Sequence, residues 1–255
     1  MKKKKQLVRA RERGRLMDEK TPFAIKEAFN RLRTNIMYYP NDEEGCPVYG
    51  ITSVEMSVGK STISANLAVS FAQLGQKVLL VDADMRRPML HKIFQIEDKD
   101  EKKGFSELLS GIISDDVSVM YTLKDNVSFI SSGAIPSNPS ALMLGKRIGE
   151  LIEKWKHEFD IIFIDLPPMG VVTDPLTISD KINGYIMVAS VDKSDAKHVN
   201  EAADKINQIG SKVVGLVVNG VNPRGEDYKY RYKYRYRYRY RYKEDYATYK
   251  KDYTS

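Results

Sequence analysis

The chain has 255 residues, 42% of them hydrophobic, enough for one large domain or two small ones around a real core. Its formal net charge of +7 sits at the ends: residues 1–15 hold eight Lys or Arg against one Glu, and residues 228–255 hold ten against three acids, so the body between them is acidic. The single Cys46 excludes an internal disulfide, the three histidines lack metal-ligand spacing, no apolar run approaches the ~20 residues that span a bilayer, and Met1–Arg15 lacks the apolar segment of a signal peptide. Together these predict a cytoplasmic protein whose basic ends could hold it near anionic lipid.

Residues 1–20 read as a basic flexible arm. Pro22–Tyr38 reads as a helix, with Thr21 as its cap and Phe23, Ala24, Ala28, Leu32 and Ile36 at helical spacing. After a polar loop from Pro40 to Pro47, strands and helices alternate. They are strand Val48–Ser53, helix Ser61–Leu74 stopped by Gly75, strand Val78–Val81, short helix Phe105–Leu109 stopped by Gly111, and strand Val127–Ser131. Helix Ala141–Trp155, strands Ile161–Ile164 and Tyr185–Ala189, helix Ala196–Ile209 and strand Val213–Val218 complete the series. The continuous apolar runs Ile161–Ile164 and Val213–Val218 predict strands covered on both faces. The alternation predicts an α/β fold, a mostly parallel sheet flanked by helices. In such sheets ligands bind beyond the carboxyl ends of the strands.

Gly59-Lys60-Ser61-Thr62 follows the first strand and opens a helix, where amide N–H groups and the helix dipole face an anion. Lys60 would reach the outer phosphates of a nucleotide and the Ser61 hydroxyl would bind Mg2+. The first glycine of the full phosphate-loop pattern is absent, with Val54 in its place, and a helix that merely begins with a surface lysine reads the same way. Two further elements strengthen the nucleotide reading. The second strand runs into Asp82 and Asp84, two carboxylates at i and i+2 that need a cation or water between them. Another apolar strand ends in Asp165. Three acids at strand ends with Gly-Lys-Ser form a constellation for a magnesium nucleotide, against the plainer reading of solvated acids.

From Tyr228 to Tyr242 every second residue is tyrosine (Tyr228, Tyr230, Tyr232, Tyr234, Tyr236, Tyr238, Tyr240 and Tyr242), and every residue between them is Lys or Arg. Tyr246, Tyr249 and Tyr253 follow. A stretch this rich in phenols and cations cannot build a core, so residues 223–255 are expected to form a disordered tail. Alone, such a tail could bind single-stranded nucleic acid by phosphate pairing and base stacking, or pair as a strand. Attached to a nucleotide site, it reads as phosphoacceptor, and no nucleic acid is expected.

These motifs, with Glu27-Ala28-Phe29-Asn30-Arg31-Leu32-Arg33 in the first helix and the loop Ser132-Gly133-Ala134-Ile135-Pro136-Ser137-Asn138-Pro139, resemble the bacterial tyrosine autokinases of the capsular and exopolysaccharide type. These are P-loop enzymes unrelated to eukaryotic protein kinases, and the likeness runs from Pro22 to the C-terminus. The resemblance implies a P-loop NTPase domain over residues 21–222 using ATP and Mg2+. It places Gly59, Lys60, Ser61 and Thr62 on the phosphates, makes Ser61, Asp82 and Asp165 the metal-binding groups with Asp84 beside them, makes Asp82 the base on the incoming tyrosine, and gives Asn219 the adenine. It implies a homo-oligomeric ring joined through the helix at 22–38, with Glu27 and Arg33 as candidate contacts to the neighbouring subunit. It further implies a separate transmembrane activator at the inner face of the membrane, a tyrosine phosphatase, and control of polysaccharide polymerisation and export. The chain departs from the family at Met56 and Val58 in the loop, at Leu166, at Ala141, and at Asn30 in the helix motif. The alternatives are a positioning ATPase of the septum-site and plasmid-partition kind and a nucleotide-sensing scaffold. The former carries an extra loop lysine where this chain has Glu55.

Overall fold

The computed structural model describes residues 16–40, 45–96, 103–123 and 126–221. Seven strands form one sheet: β1 (Val48–Ser53), β2 (Val78–Asp82), β3 (Met120–Thr122), β4 (Val127–Ile130), β5 (Ile161–Asp165), β6 (Gly184–Ser190) and β7 (Val213–Asn219). Their order is β3-β4-β2-β5-β1-β6-β7, and every pairing is parallel except β3 with β4. The helices are α1 (Phe23–Met37), α2 (Lys60–Ala72), α3 (Leu90–Ile93), α4 (Phe105–Ser110), α5 (Pro139–Leu144), α6 (Lys146–Lys156) and α7 (Ala196–Gln208). None of the described helices is long and apolar enough to cross a membrane.

Period-two alternation along the strands feeds two cores. Phe163 of β5 points into one, with Phe29, Ile36, Leu67 and Phe71 from α1 and α2. Its neighbours Ile162 and Ile164 point into the other, with Ile148, Ile152, Trp155, Val199 and Ile206 from α6 and α7. All five residues of β2 and of β5 are buried, as strands covered on both faces require. The two elements therefore end at one level, with Asp82 and Asp165 as register partners.

Several expectations need correction. The first helix is capped by Pro22, while Thr21 turns back to Asp18. The helix expected over 141–155 is two, because Gly145 adopts an extended backbone (ψ 153°) and the chain bends there. β7 is an edge strand: Leu216 and Val218 are half-exposed, so the run Val213–Val218 is not covered on both faces. The short β3 was not foreseen. Leu16 and Met17, expected in the flexible arm, pack against the α1–α2 core, and the Met17 amide donates to Asn66 Oδ1 at 2.6 Å. The chain divides at Asn219 into two units, the first carrying all of these elements. Residues 1–15 of the arm and the tail from residue 222, with all eleven of its tyrosines, lie outside the described residues.

Candidate active site

β1 delivers the chain to the loop 54–59, which turns into α2 at Gly59 in the left-handed region (φ 95°). A side chain there would collide with Asn219, whose Nδ2 would lie 2.2 Å from an added Cβ. Lys60, the first helical residue, is buried, and its Nζ donates to Asp165 Oδ1 at 2.9 Å. It also lies 3.7 Å from Asp84 Oδ2 and 3.4 Å from the Ser61 hydroxyl. The structure thus brings Lys60, Ser61, Asp82, Asp84 and Asp165 together from three elements, as the sequence leads one to expect.

The acids differ in what they already hold. Asp82 Oδ1 accepts from the Asp84 amide at 3.3 Å and Oδ2 from the Leu90 amide at 3.1 Å, so it shapes the loop after β2. Asp84 Oδ1 accepts from the Arg87 amide at 3.0 Å. Asp165 Oδ1 also accepts from the Ser64 hydroxyl at 2.8 Å, one helical turn beyond Lys60, whereas its Oδ2 is buried without a hydrogen-bond partner in the described structure. Complete burial, then the Asp165 charge beside it, push the Asp82 carboxyl up to about 8, with Lys60 acting in the opposite sense.

Among the described residues no group of three His, Cys, Asp or Glu is arranged to hold a metal unaided. A hydroxyl, an orphaned carboxylate oxygen and a second acid are nonetheless the hard oxygen donors that Mg2+ takes, a cation that completes its shell with phosphate and water. The site fits a magnesium nucleotide on those grounds.

The other expected residues lie around this cluster or on α1. Asn219 donates Nδ2 to the Val58 carbonyl at 2.9 Å, so its amide group serves the phosphate loop. Thr62 follows Ser61 on α2, half-buried. Arg33 of α1 donates to the Ser70 carbonyl at 2.7 Å and hydroxyl at 3.0 Å within the same chain, and Glu27 faces Asn30 on its own helix.

Sequence reasoning missed three supporting groups. Ser64 fixes Asp165, and its spacing of four from Lys60 was the available signal. Arg86, two residues after Asp84, grips buried Asp174 with Nε at 2.8 Å and Nη2 at 3.2 Å, and reaches Ser140 at 3.1 Å, tying the β2 loop to α5. Burial opposes the Asp174 charge, but the Arg86 and Ser140 hydrogen bonds outweigh it and hold its pKa below the usual value. Buried Glu107 of α4 accepts from the Gly104 amide at 2.8 Å and the Ala134 amide at 3.2 Å, fixing the loop that starts at Ser132.

Comparison with known proteins agrees with this architecture. Residues 47–231 match the ParA family, described as NUBPL iron-transfer P-loop NTPase. The chain is 35% identical over 209 residues to the tyrosine-protein kinase CpsD of Streptococcus agalactiae serotype III (strain NEM316), covering 81% of this chain and 88% of that one. Among solved structures, the chimerical protein CapA2B2 matches with a TM-score of 0.73 at 32% identity over 80% of this chain and 88% of that chain. The kinase domain of the Escherichia coli tyrosine kinase ETK matches with a TM-score of 0.76 at 28% identity over 85% of each. Identity at this level over most of both chains makes this protein a member of the bacterial tyrosine-protein kinases of the capsular and exopolysaccharide type, built on the ParA-like P-loop fold.

Proposed function

We propose that the chain is an ATP-dependent tyrosine autokinase that phosphorylates Tyr228–Tyr253 in its own and neighbouring tails. The observation that carries this is the buried Lys60–Asp165–Asp84 cluster at the mouth of a phosphate loop, with Asp82 the register partner of Asp165. Bound Mg-ATP would supply the transferable phosphoryl group and a cation to neutralise charge at it. Lys60 would serve the phosphate oxygens, and the Ser61 hydroxyl and Asp165 Oδ2 would offer oxygens to the cation. Phosphoryl transfer asks mainly for positioning and neutralisation of this kind. Asp82 is proposed as the base. A free phenol ionises near pH ~10, so a carboxylate within reach of its proton would help the transfer at neutral pH.

Each phosphotyrosine adds about −1.5 to −2 charges, so about four or five of them cancel the tail's positive excess. Graded phosphorylation would then switch the tail from attraction to repulsion at acidic surfaces. We assign this switch to control of capsular or exopolysaccharide polymerisation and export at the inner face of the membrane, with a separate transmembrane activator, a resetting phosphatase and a homo-oligomeric ring. The eight residues from Gly220 to Asp227 span at most ~26–29 Å, and delivery of a tail to an adjacent subunit needs less strain than folding back. The positioning-ATPase reading is disfavoured by Glu55, which occupies the place of the loop lysine and is held in cis, accepting from the Ser194 hydroxyl at 2.6 Å.

Intact mass after incubation with Mg-ATP tests the proposal. Phosphate steps mapping to the tail, reduced at least ~100-fold in rate by Lys60→Met, are expected. ATP hydrolysis without protein phosphorylation, even with a membrane activator present, would mean a positioning ATPase instead.

A further inference from the structure

The loop 54–59 is held from outside by the turn that follows β6 and by the last residue of β7. Lys193 donates Nζ to the Ser57 carbonyl at 3.0 Å. Asn219 donates Nδ2 to the Val58 carbonyl at 2.9 Å. Ser194 donates to Glu55 Oε2. These anchors belong to one block: Ser194 Oγ accepts from the Ser190 amide at 3.0 Å, its amide donates to the Ser190 carbonyl at 2.9 Å, and the Val191 amide donates to the Asn219 carbonyl at 3.0 Å. The loop needs such support, because Ser57 lies in the left-handed region (φ 59°), where a residue with a side chain is strained.

A trans peptide unit is planar, with its C=O and N–H opposed. Anchoring the Ser57 carbonyl therefore turns the Val58 N–H to the opposite side, and anchoring the Val58 carbonyl does the same for the Gly59 N–H. Among the described residues neither amide has a hydrogen-bond partner. The two successive donors lead directly into Lys60, the first residue of α2, an arrangement of consecutive amides that receives an anion.

We infer that Lys193 and Asn219 are positioning residues: by holding two consecutive carbonyls of the phosphate loop, they aim the Val58 and Gly59 amides at the phosphates of a nucleotide. This rests on the nucleotide reading above. Asn219 thereby acts on the phosphate end of the ligand through the backbone, and Lys193 supports the loop without touching the ligand.

The test uses the full chain and Mg-ADP. Calorimetric titration should show affinity about 10-fold weaker in Lys193→Met and in Asn219→Ala, the cost of one anchoring hydrogen bond, and nearly unchanged in Lys193→Arg, which keeps a donor. In the nucleotide-free protein, amide NMR should show the Val58 resonance moving in Lys193→Met and the Gly59 resonance moving in Asn219→Ala. Asn219→Asp, which keeps the shape and loses the donor, replaces Asn219→Ala if the latter does not fold. Variants that bind Mg-ADP as tightly as the parent overturn the inference. So does weaker binding with both amide resonances unmoved, which would make Lys193 a direct cation on the phosphates. A parent that does not bind Mg-ADP loses the nucleotide reading itself, which separates the two failures.

Discussion

At the scale of single residues, burial decides which charges matter. Asp82 shows this through pH. Its folded pKa, raised by burial and by Asp165 to about 8, exceeds that of the unfolded chain. The native, ligand-free protein thus keeps a proton that the unfolded chain has lost. The resulting stability is complete below the ordinary carboxylate pKa of about 3.9 and declines as pH rises toward the folded value. Asp82→Asn stays neutral throughout, so urea unfolding of the nucleotide-free variant from about pH 5 to about pH 8 should lack the parent's downward slope. Equal slopes would show that Asp82 is already ionised. A second buried acid behaves oppositely. Asp116 accepts from the Trp155 indole at 2.7 Å and from Lys154 at 2.6 Å, and although burial opposes its charge, these hydrogen bonds hold its pKa low. Asp116→Ala strands the fully buried indole N–H and should destabilise the fold by about 2–3 kcal/mol in denaturant titration. A loss below about 0.5 kcal/mol would mean that water takes over as partner.

At the scale of elements, position in the sheet outweighs composition. Ile162 on β5 and Leu216 on β7 are both large aliphatics in apolar runs, yet Ile162 is fully buried and Leu216 is 50% exposed. Ile162→Ala should cost about 2–5 kcal/mol and Leu216→Ala under about 1 kcal/mol, measured by urea midpoints at constant m. Similar losses would show that β7 is covered in solution. The sequence could not have made this distinction, because an edge strand and a central strand carry the same run of residues when strand order is unknown. It did point to Lys60, Asp82, Asp84 and Asp165 as neighbours, since the acids lie at or just beyond the ends of apolar strands and Lys60 opens the helix after another, the edge of a parallel sheet where ligands bind. Lys193 and Arg86 act through partners 136 and 88 residues away, so their roles appear only once the chain is folded, whereas Ser64, whose partner is 101 residues away, was marked by its place one turn beyond Lys60. Gly145 hid the break between α5 and α6 because apolar periodicity runs on through a single glycine.

At the scale of the whole molecule, charge is partitioned between an acidic body and basic ends. Unphosphorylated protein should sediment with anionic vesicles and come off as salt is raised, since each well-placed cation contributes about 1 kcal/mol and is screened within about 10 Å. Prior incubation with Mg-ATP should abolish the binding, and Lys60→Met should retain it under the same treatment. Binding that survives tail phosphorylation would place the contact in Met1–Arg15. The exit of the chain from the sheet has a different consequence. β7 ends at Asn219, whose side chain donates to the Val58 carbonyl, so the last described strand finishes against the phosphate loop. On the proposed reading, a tail delivered within an assembled ring would meet its site at an effective concentration of about a millimolar, set by the assembly rather than by the bulk protein. Such a site would have little need to recognise the flanks of each phenol, and a monotonous repeat of interchangeable acceptors would be a workable substrate.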